Sequence, residues 1–562
     1  MCNKDYISYL NTLHNYSAQN PNSYGEKNVD NQFFNDVMVK VGLSDYIFKK
    51  LQGEQAHIII LTGHAGDGKT SIMYQVLNEL GICFDPGEKI SDYILPSGNK
   101  CRCIKDFSEL ADYEKVDVLK EVISMPDNGE FVFMVANTGP LINTFGELFS
   151  NPAYAERAKI DLIEAMDSNT GEINEIMGYK VCVINVATVD NTYFAVEFIK
   201  KLIQDKLWEN CLKCQKEERC HILRNRNIIK LNQKRVSEFI EMHYVWLAEH
   251  GRRLTIRSMT EHIAYMITGG FDCSEVAITD AYKYLFSNLF FGYIGTRVNS
   301  KANNIIAVRE AQNCAYDNKR LRSDESLLVN HEYNKIFAKE VAEIMSVAEV
   351  KNAFVTGWSE FLRRAYFFMN IATDEVIIEQ NYEDIFSKQY RRYLALRNGQ
   401  ISPSKMDANL VCDALSMIYI GTINNDQMIP LTLSREAGIA QNVQLITGTL
   451  LTKSIKIVSR EAKDRLFNKN SNRYVLKLDI NKKELKSNIT LPLLNYFEEL
   501  KNGIISTNVD PQLSHGIESL KAELSEIVDD SDDNSFEMII LRNSGAKPVC
   551  LEITVNKKIR EV

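Results

Sequence analysis

A chain of 562 residues is longer than one ordinary hydrophobic core organises, so two to four domains are expected. With 45% hydrophobic and 25% charged residues, few prolines and no long polar tract, the composition is that of a folded protein and excludes an extended disordered chain. A net charge of −9 argues against a wholly basic nucleic-acid binder, although it leaves room for a local basic groove.

The chain begins without a basic stretch leading into a long apolar one, so no secretory signal is expected. No run of about 18 apolar residues occurs, so no membrane partner is expected either. The twelve cysteines are scattered and read as reduced thiols in a cytoplasmic protein. Residues 1–54 form a helical N-terminal extension around the turn-rich Gln19–Ser23. From 55 to 200, apolar strand-like runs alternate with helical stretches. The strands expected are His57–Thr62, Cys101–Lys105, Phe131–Asn137 and Lys180–Ala187, and the helices are Lys69–Leu80, Glu109–Ile123, Leu141–Phe149 and Ala155–Ala165. That alternation predicts an α/β domain whose parallel sheet carries helices on both faces. Residues 201–370 are mostly helical and read as a lid region, with long periodic stretches at Trp246–Gly270 and Lys339–Asn370. Residues 375–562 read as a mixed α+β domain with strands at Arg473–Ile480, Met538–Arg542 and Val549–Val555. The acidic run Asp529–Asp533 reads as a solvated loop.

One motif stands above the rest. Gly63-His64-Ala65-Gly66-Asp67-Gly68-Lys69-Thr70 fits G-x-x-x-x-G-K-[ST] at every fixed position. An apolar strand leads into it, and an amphipathic helix from Lys69 and Ser71 follows. Such spacing turns successive N–H groups inward and aims a helix N-terminus at phosphates. Lys69 is expected to neutralise the β- and γ-phosphates of ATP or GTP, and the Thr70 hydroxyl to ligate Mg2+.

Hydrolysis further needs an acid at the end of a neighbouring strand. In one placement Asp106 or Glu109 organises magnesium and water, and Asn137 senses the γ-phosphate. In the other, Asn137 occupies the acid's position, hydrolysis is slow or absent, and the Val181–Asp190 segment supplies the sensor. A second candidate centre is Cys211-x2-Cys214-x5-Cys220-His221, a knuckle spanning 208–226 that could hold Zn2+, with Cys273 or His243 as replacements for His221. The stretch 213–257 is rich in Lys and Arg, including Arg219, Arg224, Arg226, Lys230, Lys234 and Arg235. It is either a solvated face or a salt-sensitive DNA contact. Arg252, Arg253 and Arg257, and separately Arg363 and Arg364, are candidates to reach a γ-phosphate.

Gly-His-Ala-Gly-Asp-Gly-Lys-Thr, followed by Ile-Lys-Asp-Phe-Ser-Glu, Phe-Met-Val-Ala-Asn-Thr-Gly and Cys-x2-Cys-x5-Cys, resembles the DptF ATPases of bacterial phosphorothioation-linked DNA restriction systems, broadly related to AAA+ and STAND-type switches. The resemblance covers mainly residues 55–270. It implies an ATP-binding, ATP-hydrolysing subunit of an anti-phage defence or restriction complex, working with other subunits as a homo- or hetero-oligomer, with Lys69 and Thr70 at the nucleotide and Cys211, Cys214 and Cys220 at zinc. The competing readings are a non-hydrolysing scaffold stabilised by nucleotide and zinc, and a small-molecule kinase.

Overall fold

The computed structural model describes residues 4–16, 31–53, 57–83, 85, 87–214, 219–276, 280–371, 375–423, 427–433, 442–463, 473–504, 509–528, 535–541, 549–554 and 558–561. Asp529–Asp533 lies outside them. The chain divides into two compact units: Met1–Ala248, Arg252–Asn381 and Lys463–Asn470 in the first, and Glu249–Gly251, Tyr382–Ala462 and Ser471–Val562 in the second. Helix, sheet and the following helical region of the N-terminal two thirds thus belong to one unit.

In the first unit α1 (Lys4–Thr12), α2 (Phe34–Val37) and α3 (Gly42–Gln52) precede β1 (Ile58–Thr62), whose five residues are all buried. Next come α4 (Lys69–Glu79), β2 (Ile90–Ile94), β3 (Lys100–Ile104), α5 (Asp112–Ser124), β4 (Phe131–Val135), α6 (Thr138–Glu147), α7 (Pro152–Ser168), β5 (Ile173–Ile176) and β6 (Tyr179–Asn185). The six strands form one sheet in the order β2-β3-β4-β1-β6-β5. Its four inner strands are parallel, with Ile58 opposite Val132, Ile59 opposite Cys182 and Cys101 opposite Phe131.

Period-two alternation sorts the core into two layers. Ile59, Leu61, Phe131, Phe133, Cys182 and Ile184 face α3 and α4, burying Ile47, Leu51, Ile72, Met73 and Val76. Ile58, Ile60, Val132, Met134, Val181 and Val183 face the other way, onto Leu119, Leu141, Phe145 and Leu162 of α5, α6 and α7. The fold class is therefore α/β, as expected, but the sheet is mixed. Strands β2 and β5 are antiparallel edges, hairpin-paired to β3 and β6. Their sequences, Ile-Ser-Asp-Tyr-Ile and Ile-Asn-Glu-Ile, are half exposed and carry too little apolar signal to read as strands.

Beyond β6 the unit is helical: α8 (Tyr193–Leu202), α9 (Asp205–Leu212), α10 (His221–Leu231), α11 (Gln233–Glu249) and α12 (Ile256–Thr268), then further helices that include Lys339–Asn352 and Trp358–Met369. The stretches Trp246–Gly270 and Lys339–Asn370 are each two helices. Gly251 (φ 72°) and Gly357 (φ 88°) take left-handed conformations at the breaks. No helix among the described residues is long and apolar enough to cross a membrane.

The second unit is α+β. A five-stranded sheet runs in the order Ile559–Glu561, Val549–Thr554, Ser535–Ile540, Val443–Leu451, Met428–Thr432. A separate three-stranded meander joins Ile455–Glu461, Tyr474–Ile480 and Lys483–Ile489. Helices Lys405–Ile420, Leu491–Lys501 and Pro511–Val528 add buried leucines to those of the strands, such as Leu431, Leu476 and Leu478.

Candidate functional site

The carboxyl ends of the parallel strands are where α/β sheets gather ligand-binding loops. There β1 ends at Thr62 and the chain turns through Gly63–Gly68 into α4. Gly63 (φ 146°), Gly66 (φ 88°) and Gly68 (φ 83°) all have positive φ. Space is tight as well. A Cβ on Gly63 would stand 3.1 Å from Asp67 Oδ2 and 3.2 Å from Ala187 N; on Gly66, 3.0 Å from Thr255 Oγ1; on Gly68, 3.0 Å from Ile256 Cδ1. The loop is thus a bare-backbone cradle ending on a helix N-terminus, with Gly68 as the cap residue of α4.

Lys69 is folded back into this cradle and is only 7% exposed. Its ammonium donates to Gly63 O (3.2 Å), His64 O (2.7 Å) and Asn137 Oδ1 (2.9 Å). Burial lowers its pKa, and Arg257 lowers it further, while Asp67 and Asp106 act to raise it. The amine therefore sits among weak neutral acceptors where an anionic ligand would be a better partner. Thr70 and Ser71 open the first turn of α4 beside it.

The two strand ends flanking the cradle are stitched together. Asp106, just past β3, caps a short turn by accepting from Ser108 N (2.9 Å). Ser108 Oγ in turn accepts from Asn137 N (2.8 Å), just past β4. Thr62 and Thr138 hydroxyls meet at 3.1 Å. Asp106 and Asn137 thereby stand on adjacent strands, both close enough to Lys69 to act on it. Glu109 is exposed, and its carbonyl accepts from Lys89 Nζ (2.8 Å). Asn185, at the end of β6, is spent on its own turn, accepting from Ala187 N (3.1 Å).

The outer side of the cradle is closed by the start of α12, which sequence reading named only as a source of arginines. Thr255 caps α12, accepting from Ser258 N (3.2 Å), and Arg257 N donates to Gly66 O (3.1 Å). Arg253 donates to Asp67 Oδ1 (2.8 Å), Val186 O (3.2 Å) and Val189 O (3.5 Å). Asp67 is fully buried, and its other oxygen accepts from His64 N (2.9 Å). A buried carboxylate requires a partner of opposite charge, which is the signal in the sequence that could have pointed to this pair.

Other candidates go elsewhere. Arg363 and Arg364 are both buried in the helical core and held by partners there. Arg363 forks onto Asp324 (3.1 and 2.8 Å), and Arg364 bonds Asp317 (2.5 Å), Asn288 Oδ1 (2.9 Å) and Gly295 O (3.2 Å). Much of the basic stretch is likewise consumed internally. Arg226 is buried against Ile203 O and pairs with Asp205, Lys230 also pairs with Asp205 (2.7 Å), and Arg235 pairs with Glu238 (3.0 Å). Arg219 and Lys234 remain exposed.

Among the described residues no group of three or more His, Cys, Asp or Glu side chains is gathered to hold a metal. Cys211 is buried on α9, Cys220 Sγ caps α10 by accepting from Leu223 N (3.5 Å), and the His221 ring is wedged between Phe271 and Tyr284 (5.3 and 5.0 Å). Burial holds His221 neutral, with a pKa of about 4. Residues 215–218 lie outside the described ones. His243, offered as a substitute ligand, is fully buried, with Nδ1 3.2 Å from Tyr316 Oη. No family model, curated protein or solved structure matches the chain.

Proposed function

We propose that the chain binds a nucleoside triphosphate, ATP in the leading reading, at Gly63–Thr70, and hydrolyses it as a regulatory subunit of a bacterial DNA-restriction or anti-phage complex. The observation that carries the binding step is the cradle itself: three positive-φ glycines with tight surroundings, a helix N-terminus, and a buried lysine amine held by neutral acceptors. Lys69 and the loop N–H groups would take the phosphates, and Thr70 would present its hydroxyl to magnesium, which when bound neutralises phosphate charge. Of the two placements of the hydrolytic acid, the stitched strand ends favour the first. Asn137 already bonds Lys69 as a neutral group, and Asp106 on the adjacent strand supplies the carboxylate to orient water. The assignment to a restriction complex rests on the motif resemblance alone, and the helical region following β6 is the element proposed to respond as a lid.

Turnover of Mg-ATP, with and without DNA, compared between the wild-type chain and Lys69→Ala, tests the reading. A lysine-dependent turnover supports it. Nucleotide binding without turnover above the variant favours the non-hydrolysing scaffold, and no binding at all removes both.

A further inference from the structure

The phosphate loop contains an acid where its ligand brings negative charge. Asp67 has no exposed surface, lies within the Gly63–Lys69 turn, and influences the Lys69 amine electrostatically. Left alone, that carboxylate would repel a polyphosphate and attract Lys69 away from it. The partner that cancels it comes from 186 residues further along the chain: Arg253 Nη1, 2.8 Å from Asp67 Oδ1. The other guanidinium nitrogen holds Val186 O and Val189 O, at the end of β6, so the arginine is fixed from two sides. We infer that Arg253 is a positioning residue for nucleotide binding, neutralising Asp67 and holding the loop between the end of β6 and the start of α12. The inference rests on the nucleotide-binding reading above and extends it: the phosphate site is complete only when the segment leading into α12 is docked.

The two partners are unequal, and this makes the idea testable. Arg253 retains a quarter of its side-chain surface and can turn its charge to water, whereas Asp67 is sealed. Losing the arginine therefore leaves a buried charge, and losing the acid does not. Affinities for ADP and ATP are measured with a fluorescent nucleotide on the full chain, with melting temperature and circular dichroism to confirm folding. Arg253→Met is expected to weaken ATP binding about tenfold or more, and ATP more than ADP, because an orphan carboxylate repels each added phosphate charge. Asp67→Asn costs less, and the double variant recovers most of the lost affinity. Arg253→Lys, which keeps the charge without the fork, is intermediate and carries the comparison if the methionine variant does not fold. Wild-type affinity in both Arg253→Met and Arg253→Lys overturns the inference. So does an equal loss for ADP and ATP that the double variant fails to restore, since that marks a distorted loop rather than an uncancelled charge. If the wild-type chain itself binds no nucleotide, the underlying reading has failed instead.

Discussion

Replacing Asn137 by Asp is the sharpest probe of the strand-end cluster, because the structure predicts opposite signs for stability and binding. Lys69 Nζ lies 2.9 Å from Asn137 Oδ1. A carboxylate there faces an ammonium across about 3–4 Å, where two unit charges at an effective dielectric of about 20 attract by roughly 4 kcal/mol before desolvation. Burying a second charge consumes much of that, leaving a net gain of about 1–2 kcal/mol for the ligand-free protein. Phosphate must then compete with an ion pair for Lys69, so nucleotide affinity falls by about 5–30-fold, the same energy read as a dissociation constant. The added negative charge beside the phosphates acts in the same direction. Thermal melts should show Asn137→Asp stabilised by about 2 °C or more without ligand, and a nucleotide titration should show it weakened. A variant that binds nucleotide as tightly as wild type would refute the argument that Lys69 is shared between Asn137 and the ligand.

Glu261 of α12 is buried, and burial raises its pKa to about 7 while Arg257 partly opposes the rise. The folded protein therefore holds this proton where the unfolded chain has released it. Glu261 contributes its full stability below about pH 4.5 and loses it as pH climbs through 7, an effect on the order of 3 kcal/mol. Melts of Glu261→Gln against wild type should diverge between pH 5 and 8, the variant gaining at the alkaline end. His14, His221 and His262 act oppositely: burial lowers each to about 4, so they favour the fold above about pH 6.5 and weaken it as pH falls toward 4. A triple glutamine variant should flatten that acid limb in the same melts. Arg364→Met orphans the buried Asp317 and should cost about 3–5 kcal/mol, most of it returned by adding Asp317→Asn; denaturant unfolding of the three variants measures it. Metal analysis of protein purified without chelator addresses the zinc expectation: a ratio near one zinc per chain, lost on replacing Cys211, Cys214 and Cys220, supports it, and a ratio well below one removes it.

Sequence patterning revealed the parallel interior because strands buried on both faces read as unbroken apolar runs, as in Ile58–Leu61 and Phe131–Val135. The glycine-rich loop Gly63–Gly68 was legible for a different reason: its glycines are required by backbone geometry, whatever packs around them. The hairpin edges β2 and β5 escaped because half-exposed polar strands look like loops. Partners distant in sequence escaped too. Arg364, a candidate for a γ-phosphate in the sequence, has Asp317 from 47 residues earlier against it in the fold, and Asp67 of the loop motif meets Arg253 from 186 residues away. His221 follows three cysteines at suggestive spacing, yet Phe271 and Tyr284 pack on its ring.

The contact of Thr255, Ile256 and Arg257 with the loop glycines bears on how this chain can be dissected. Cut after β6, at about residue 200, the fragment would keep every residue of the phosphate motif and the whole sheet, and a motif search would pass it as intact. It would nevertheless lack one wall of the cradle and the countercharge to Asp67, and so should bind nucleotide poorly even if it folds. Any boundary drawn for expression, or any fusion inserted near His250, has to respect a joint that the linear motif does not advertise.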